Sequence, residues 1–151
     1  MCGIAALVAE NVQPEPLRSM VAAMHHRGPD SDGFFWEEGV ALGIRRLSFI
    51  DLEGGHQPLS NEDGQVVAIC NGEIYNYLEL REQLLARGHY FKTRSDAEVL
   101  VHLWEEMGEA MVTQLRGMFA LALWDRRIRQ LFLARDRLGI NRCTTPSARL
   151  D

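Results

Sequence analysis

The chain has 151 residues, 46% hydrophobic and 25% charged, which suits one soluble globular domain with a single core. Sixteen basic and 21 acidic side chains leave a net charge of −5, and no basic run exceeds two residues, so no nucleic acid and no anionic membrane is expected as a partner. No apolar stretch approaches the ~20 residues of a membrane span, and the N-terminus lacks the pattern of a secretory signal.

Cys2, Cys70 and Cys143 are odd in number and far apart, with no zinc spacing. A disulfide framework is not expected, and a reducing cytoplasm suits them.

Gly3 to Val8 is a short apolar run that reads as a buried strand with Cys2 at its edge. After a loop from Asn11 to Pro16, Leu17, Met20, Val21 and Met24 recur at helical spacing up to about His25. His25 to Asp30 breaks that helix. Short strands are expected at Phe34 to Trp36 and Val40 to Ile44. A loop holding Gly54, Gly55 and Pro58 follows.

Val66 to Cys70 is uninterruptedly apolar, as in a strand covered on both faces, and runs into Asn71-Gly72-Glu73. Asn76 with Glu79, and Ser95 with Glu98, have capping-box spacing. Tyr77, Leu80 and Leu84 mark one helix face, with Gly88 as the residue beyond its end. Val99, Leu100, Leu103, Trp104 and Met107 mark another, closed by Gly108. Met118 to Trp124 and Leu131 to Ala134 are two further apolar strands joined by a charged turn. Such strands need a layer on each side, so sheets and amphipathic helices are expected in a layered α+β arrangement.

Cys2 follows the initiator methionine directly. Removal of Met1 would place a thiol nucleophile and an α-amine base on one residue. A free α-amine has a pKa of about 7.7–8.0, so near neutrality part of it can accept a thiol proton. Attack on a carboxamide then needs oxyanion donors. Asn71 and Gly72 offer a side-chain amide and an adjacent backbone N–H, although the pair alone also reads as a turn.

An amino-acid substrate brings a carboxylate, suited to the fork of Arg46, and an ammonium, suited to Glu73 and Asp96. Arg46 could instead pair with Asp51, and Asp96 could only assist a helix start. Arg27 could hold the loop facing Cys2. His25 and His26 read as a helix-end feature more than as partners of Cys2. Cys70 reads as an inert core thiol.

Several motifs occur together: Met1-Cys2-Gly3-Ile4, His26-Arg27-Gly28-Pro29-Asp30, Arg46-Leu47-Ser48 with Asp51, and Gln57-Pro58-Leu59. They continue with Asn71-Gly72-Glu73-Ile74-Tyr75-Asn76, Ser95-Asp96 with Glu98, Gly117-Met118-Phe119-Ala120, and Arg135-Asp136 with Leu138-Gly139-Ile140. The ordered set resembles the glutaminase domain of class II glutamine amidotransferases, most nearly the N-terminal half of glutamine-dependent asparagine synthetases. Arg46-Leu47-Ser48 stands where the sugar-phosphate and phosphoribosyl amidotransferases carry a different arginine motif.

The resemblance implies the four-layer αββα sandwich of N-terminal-nucleophile hydrolases. It implies hydrolysis of L-glutamine through a thioester on Cys2, with Asn71 and Gly72 as oxyanion hole, Arg46 on the α-carboxylate, and Glu73 and Asp96 around the α-ammonium. It implies no metal or cofactor in this domain; ATP and Mg²⁺ belong to a synthetase domain that would receive the ammonia, and the synthetase's pyrophosphate-binding loop is absent here. The other reading is a truncated, non-catalytic remnant that at most binds glutamine.

The resemblance covers residues 1–140 and stops there, where the family continues Lys-Pro-Leu-Tyr-Tyr-Ala. One permitted codon set for Asn141 to Pro146, AAC CGC TGT ACT ACG CCG, reads Pro-Leu-Tyr-Tyr-Ala from its third base. Residues 141–151 are therefore expected to be an out-of-frame tail. An incomplete C-terminal end would expose a sheet edge and favour self-association.

Overall fold

The computed structural model describes residues 1–47 and 55–145. Ser48 and Asp51, and with them the alternative pairing of Arg46, lie outside the described residues.

Two antiparallel sheets organise the described residues. In the first, β1 (Gly3–Val8) pairs with β3 (Val40–Arg46), which pairs on its other side with β2 (Ser31–Glu37). In the second, β4 (Leu59–Ser60), β5 (Val66–Ile74), β6 (Gly117–Asp125) and β7 (Gln130–Arg135) lie in sequence order. Helix α1 (Pro14–Ala23) belongs to the first sheet; α2 (Tyr77–Ala86) and α3 (Val99–Met107) belong to the second.

Strand alternation fixes which side chains meet which layer. Ala5 and Ala41 point to one face of the first sheet and pack with Leu17 and Val21 of α1. Gly43 continues that face: a Cβ there would meet Val21 Cγ2 at 2.5 Å, so glycine lets α1 lie close. Val40, Leu42 and Ile44 point the other way, onto Val67, Ile69, Ala122 and Trp124 of the second sheet. The outer face of that sheet, including Val66, Ala68 and Cys70, packs on Leu80, Leu84, Leu100 and Trp104 of α2 and α3. The order is thus helix, sheet, sheet, helices, with apolar contacts between each pair of neighbours.

The expected strands are all present, and their limits shift. β2 starts at Ser31 rather than Phe34, because Ser31 and Asp32 find partners in Arg46 and Arg45 of β3. β5 continues to Ile74, so Asn71-Gly72 lies within a strand, opposite Ala120 and Phe119, and is not a turn. Helix α1 starts at Pro14, inside the expected loop; Pro there has φ pre-set and gives up an N–H that no helix uses. The short β4 has no periodicity to announce it.

Neither expected capping box forms as drawn. The Asn76 side chain makes no cap bond; it accepts from Arg116 N and donates to Gln114 O across the fold. Ser95 does cap, accepting from Ala97 N at 3.3 Å, but Glu98 turns to the N–H groups of Lys92 and Thr93 instead of back to Ser95. The turn that Ser95 caps, Asp96–Glu98, is a 3₁₀ turn leading into α3. Gly88 and Gly108, with φ of +99° and +55°, close α2 and α3 as expected.

Candidate active site

The alternation that packs the sheets also gathers the site. In β1 the inter-sheet series Ala6, Ile4 ends at Cys2. In β3 the series Val40, Leu42, Ile44 ends at Arg46. In β5 the series Val67, Ile69 ends at Asn71. All three polar residues therefore emerge between the sheets. Arg45 emerges on the α1 face, where it donates to the carbonyls of Gly28 and Pro29 and pairs with Asp32 at 3.2 Å.

Cys2 Sγ accepts from the backbone N–H of Leu47 at 3.4 Å and lies 3.6 Å from the Leu47 carbonyl. Arg27 Nε donates to the Cys2 carbonyl at 3.0 Å, fixing the Cys2 backbone from the side of α1. A cavity of about 280 Å³ opens over Cys2, with Met1, Leu47, Asn71, Gly72 and Met118 in its wall. A narrower recess of about 30 Å³ adjoins it at Cys2 and is closed by Arg46, Glu73, Ser95 and Asp96. Wider clefts elsewhere, of about 420 and 390 Å³, do not contain Cys2.

Gly72 is required twice over. Its φ is +145°, and a Cβ would meet the Met118 carbonyl oxygen at 2.0 Å. Asn71 is 4% exposed, and its Nδ2 donates to Asn141 Oδ1 at 3.4 Å, leaving a second amide hydrogen for other use. Asn141 itself is fully buried and donates its backbone N–H to Asp136.

The acidic pair is electrostatically loaded. Burial pushes the Asp96 carboxyl above its ordinary range, opposed by the Ile74 N–H, which donates to Oδ2 at 2.7 Å. Burial raises Glu73 as well, and the neighbouring Asp96 charge adds to it. Two carboxylates that resist ionisation side by side form a pocket that a cation relieves. Asp96 is thus half-committed to anchoring β5, where the sequence leaves its side chain free. Burial raises the Cys70 thiol well above its ordinary value, as do the nearby acids, so it stays protonated and unreactive.

Cys2, Arg46, Asn71, Gly72, Glu73 and Asp96 all line these two adjoining spaces, and Arg27 sits behind Cys2. His25 and His26 are exposed and line neither. Sequence reasoning missed the Leu47 N–H and the Ile74 N–H, main-chain groups that no residue type signals. It also missed Gln57, whose side chain mimics a strand partner: Oε1 accepts from Cys70 N at 2.6 Å, and Nε2 donates to Cys70 O at 3.2 Å.

Residues 1–143 match the family model described as a glutamine amidotransferase domain. The chain belongs to that family. An asparagine synthetase (glutamine-hydrolysing) of Bacillus subtilis is 44% identical to this amidotransferase domain over 146 residues, covering 93% of it and 19% of the synthetase. A second from the same organism is 51% identical over 128 residues, covering 85% and 20% of the two chains. One from Arabidopsis thaliana is 44% identical, covering 93% and 25%. The chain thus spans about a fifth to a quarter of the length of these relatives.

Among solved structures, the glutamine phosphoribosylpyrophosphate amidotransferase of B. subtilis superposes on 66% of the chain and 24% of its own, with a TM-score of 0.51 and 24% identity. That likeness concerns the fold. Among the described residues, no helix is long and apolar enough to cross a membrane.

Proposed function

We propose that this domain hydrolyses L-glutamine to glutamate and ammonia through a γ-glutamyl thioester on Cys2. One observation carries the reading: Cys2 Sγ faces Asn71 and Gly72 across one cavity, while the adjoining recess offers a buried arginine and two strained carboxylates. A substrate with a carboxamide at one end and an α-amino acid at the other matches that polarity.

Removal of Met1, which is half-exposed in the mouth of the cavity, frees the α-amine of Cys2. The amine takes the thiol proton. Sulfur attacks the amide carbon, and the oxyanion meets Asn71 Nδ2 and the Gly72 N–H. The C–N bond breaks, and nitrogen leaves as ammonia with the proton held by the amine. Water, deprotonated by the same amine, then cleaves the thioester to glutamate and free Cys2. Arg46 holds the α-carboxylate; Glu73 and Asp96 hold the α-ammonium.

The four layers are, in this reading, the αββα sandwich of N-terminal-nucleophile hydrolases. The hydrolysis as written uses no cofactor. The relatives' names point to an asparagine synthetase domain as the acceptor of the ammonia, with ATP and Mg²⁺ belonging to that domain. A thiol nucleophile and three unpaired cysteines suit a reducing cytoplasm.

The test begins with the intact mass of the untagged chain, which should lack Met1. A glutamine-like electrophile should then label one site, lost in Cys2→Ala and kept in Cys70→Ala, with glutamate release following the label. Glutamate release that survives Cys2→Ala, or full activity in a chain retaining Met1, overturns the proposal.

A further inference from the structure

At the other end of β5 from Asn71, four side chains from separate segments converge. Glu62 comes from the turn after β4, His89 from the segment after α2, and His102 and Glu105 from one face of α3. One ligand atom from each lies within 4.8 Å of all the others. We propose that Glu62, His89, His102 and Glu105 bind a divalent transition-metal ion of the zinc type, holding the β4 turn, the 89–93 segment and α3 together.

The distances suit such an ion. Zinc with ligands at about 2.0–2.2 Å in a tetrahedron has ligand–ligand edges of about 3.3–3.6 Å. His89 Nδ1 lies 3.1 Å from Glu62 Oε1 and 3.8 Å from Glu105 Oε2; His102 Nδ1 lies 3.3 Å from Glu62 Oε2 and 3.7 Å from Glu105 Oε2. These histidine–carboxylate separations, with Glu62 meeting His89 through Oε1 and His102 through Oε2, lie on either side of the tetrahedral edge, and the one-atom-per-residue set stays within 4.8 Å.

The hydrogen-bond inventory points the same way. The His102 side chain is fully buried, and among the described residues neither of its ring nitrogens has a hydrogen-bond partner. Glu105 Oε2, also buried, has none either. Carboxylate oxygens of Glu62, Glu105 and Glu98 stand 3.3–3.8 Å from that buried ring without completing a hydrogen bond, and a metal bond would supply the contact the ring nitrogens lack.

The outer contacts resemble those of metal-bound histidines, whose remote nitrogen faces a carboxylate. His89 Nε2 lies 3.2 Å from Glu106 Oε1, and His102 Nε2 lies 3.8 Å from the buried Glu98 Oε1. Glu106 is held in turn by Arg87, and Glu105 Oε1 by the buried Asn61 at 2.8 Å. The first ligands are thus oriented from behind, and a dication at their centre offsets the surrounding carboxylates.

Positions 62, 89, 102 and 105 match no zinc spacing, so nothing in the residue order announces the cluster. Only His102 and Glu105, three apart on a helix, are neighbours by pattern.

The test is a Co²⁺ and Zn²⁺ titration of the untagged full chain after chelator treatment. One Co²⁺ per chain should bind with visible ligand-field bands, and Zn²⁺ at a hundredfold excess over its Kd should raise Tm by roughly 5–10 °C. His89→Ala and Glu105→Gln should each weaken binding at least tenfold, while a double His25→Ala/His26→Ala variant binds as the parent does. Absence of stoichiometric binding, or no Tm shift, overturns the site and leaves an ion-pair cluster. Binding that persists in the combined His89→Ala/Glu105→Gln variant places the metal elsewhere, on the thiols, and equally overturns it.

Discussion

Asp96→Asn separates recognition from folding. Asp96 Oδ2 accepts from Ile74 N–H at 2.7 Å, and an asparagine oxygen can accept the same bond, so β5 keeps its anchor. Burial raises the Asp96 carboxyl in the folded chain, so ionising it costs stability. With the folded pKa above the unfolded one, that loss sets in as pH rises past the ordinary aspartate value of 3.8 and grows as pH climbs through the raised one. Asparagine has no such loss. The variant should therefore melt at or above the parental Tm at pH 7.

The substrate side moves the other way. Replacing one carboxylate oxygen with an amide NH₂ removes a charge-assisted hydrogen bond to the α-ammonium, worth about 1.5–3 kcal/mol. That predicts a loss of roughly 10- to 150-fold in kcat/KM for glutamine, mostly in KM. Glutamate release and thermal denaturation on the same preparation check both halves. A Tm several degrees below the parent, or an unchanged kcat/KM, would refute the assignment of Asp96 to the ammonium.

Three further outcomes follow from named contacts. Gly72→Ala forces a Cβ against the Met118 carbonyl at 2.0 Å in a left-handed φ, so a loss of about 2–4 kcal/mol and roughly 5–15 °C in Tm is expected by differential scanning fluorimetry. Arg127, with help from Trp104 Nε1, holds the Asp125 carboxyl at about 2, so its contribution is present above the ordinary aspartate value of 3.8 and is lost as pH falls towards 2. That contribution is about 2 kcal/mol before solvent screening and nearer 1 after it; urea titrations between pH 5 and 2 should show it in the parent and not in Asp125→Asn. Between β1 and β7 lies a cleft of about 420 Å³ with Ile4, Ala6, Leu131 and Leu133 in its walls, and Leu133 is 40% exposed. Self-association through this face should appear in light scattering and fall in Leu133→Lys; a monodisperse parental monomer at high concentration would count against it.

What the sequence discloses follows from what is local. The apolar runs Gly3 to Val8, Val40 to Ile44 and Val66 to Cys70 are visible in the string of residues, and the alternation of side chains along a strand carries Cys2, Arg46 and Asn71 to one face once the strands are known. Which strands pair is not visible. β1 skips β2 to lie against β3, with Gly3 opposite Arg45, and only tertiary burial selects that register. The capping boxes failed for the same reason. Asn76 and Glu98 had stronger partners in Arg116 and Thr93, the first of them forty residues away. Even β7, apolar along Leu131 to Ala134, is only half-buried, because an edge strand has less to cover it than its composition suggests.

The site's construction ties the proposed activity to the packing of one sheet on the other. The first sheet supplies Cys2 and Arg46, the second supplies Asn71, Gly72 and Glu73, and the 3₁₀ turn before α3 supplies Asp96. No single element carries both Cys2 and the Asn71-Gly72 pair that the proposed reaction needs. Their juxtaposition depends on the inter-sheet core of Leu42, Ile44, Ile69 and Ala122, a few apolar side chains whose loss would leave both sheets hydrogen-bonded yet unaligned. Misplacing reacting groups by about an ångström can cost a hundredfold in rate. Activity is therefore a finer probe of sheet-on-sheet packing than any measure of strand content. A mild core truncation such as Ile69→Val should lower glutamate release more than its stability loss of about 0.5–1.5 kcal/mol removes folded protein.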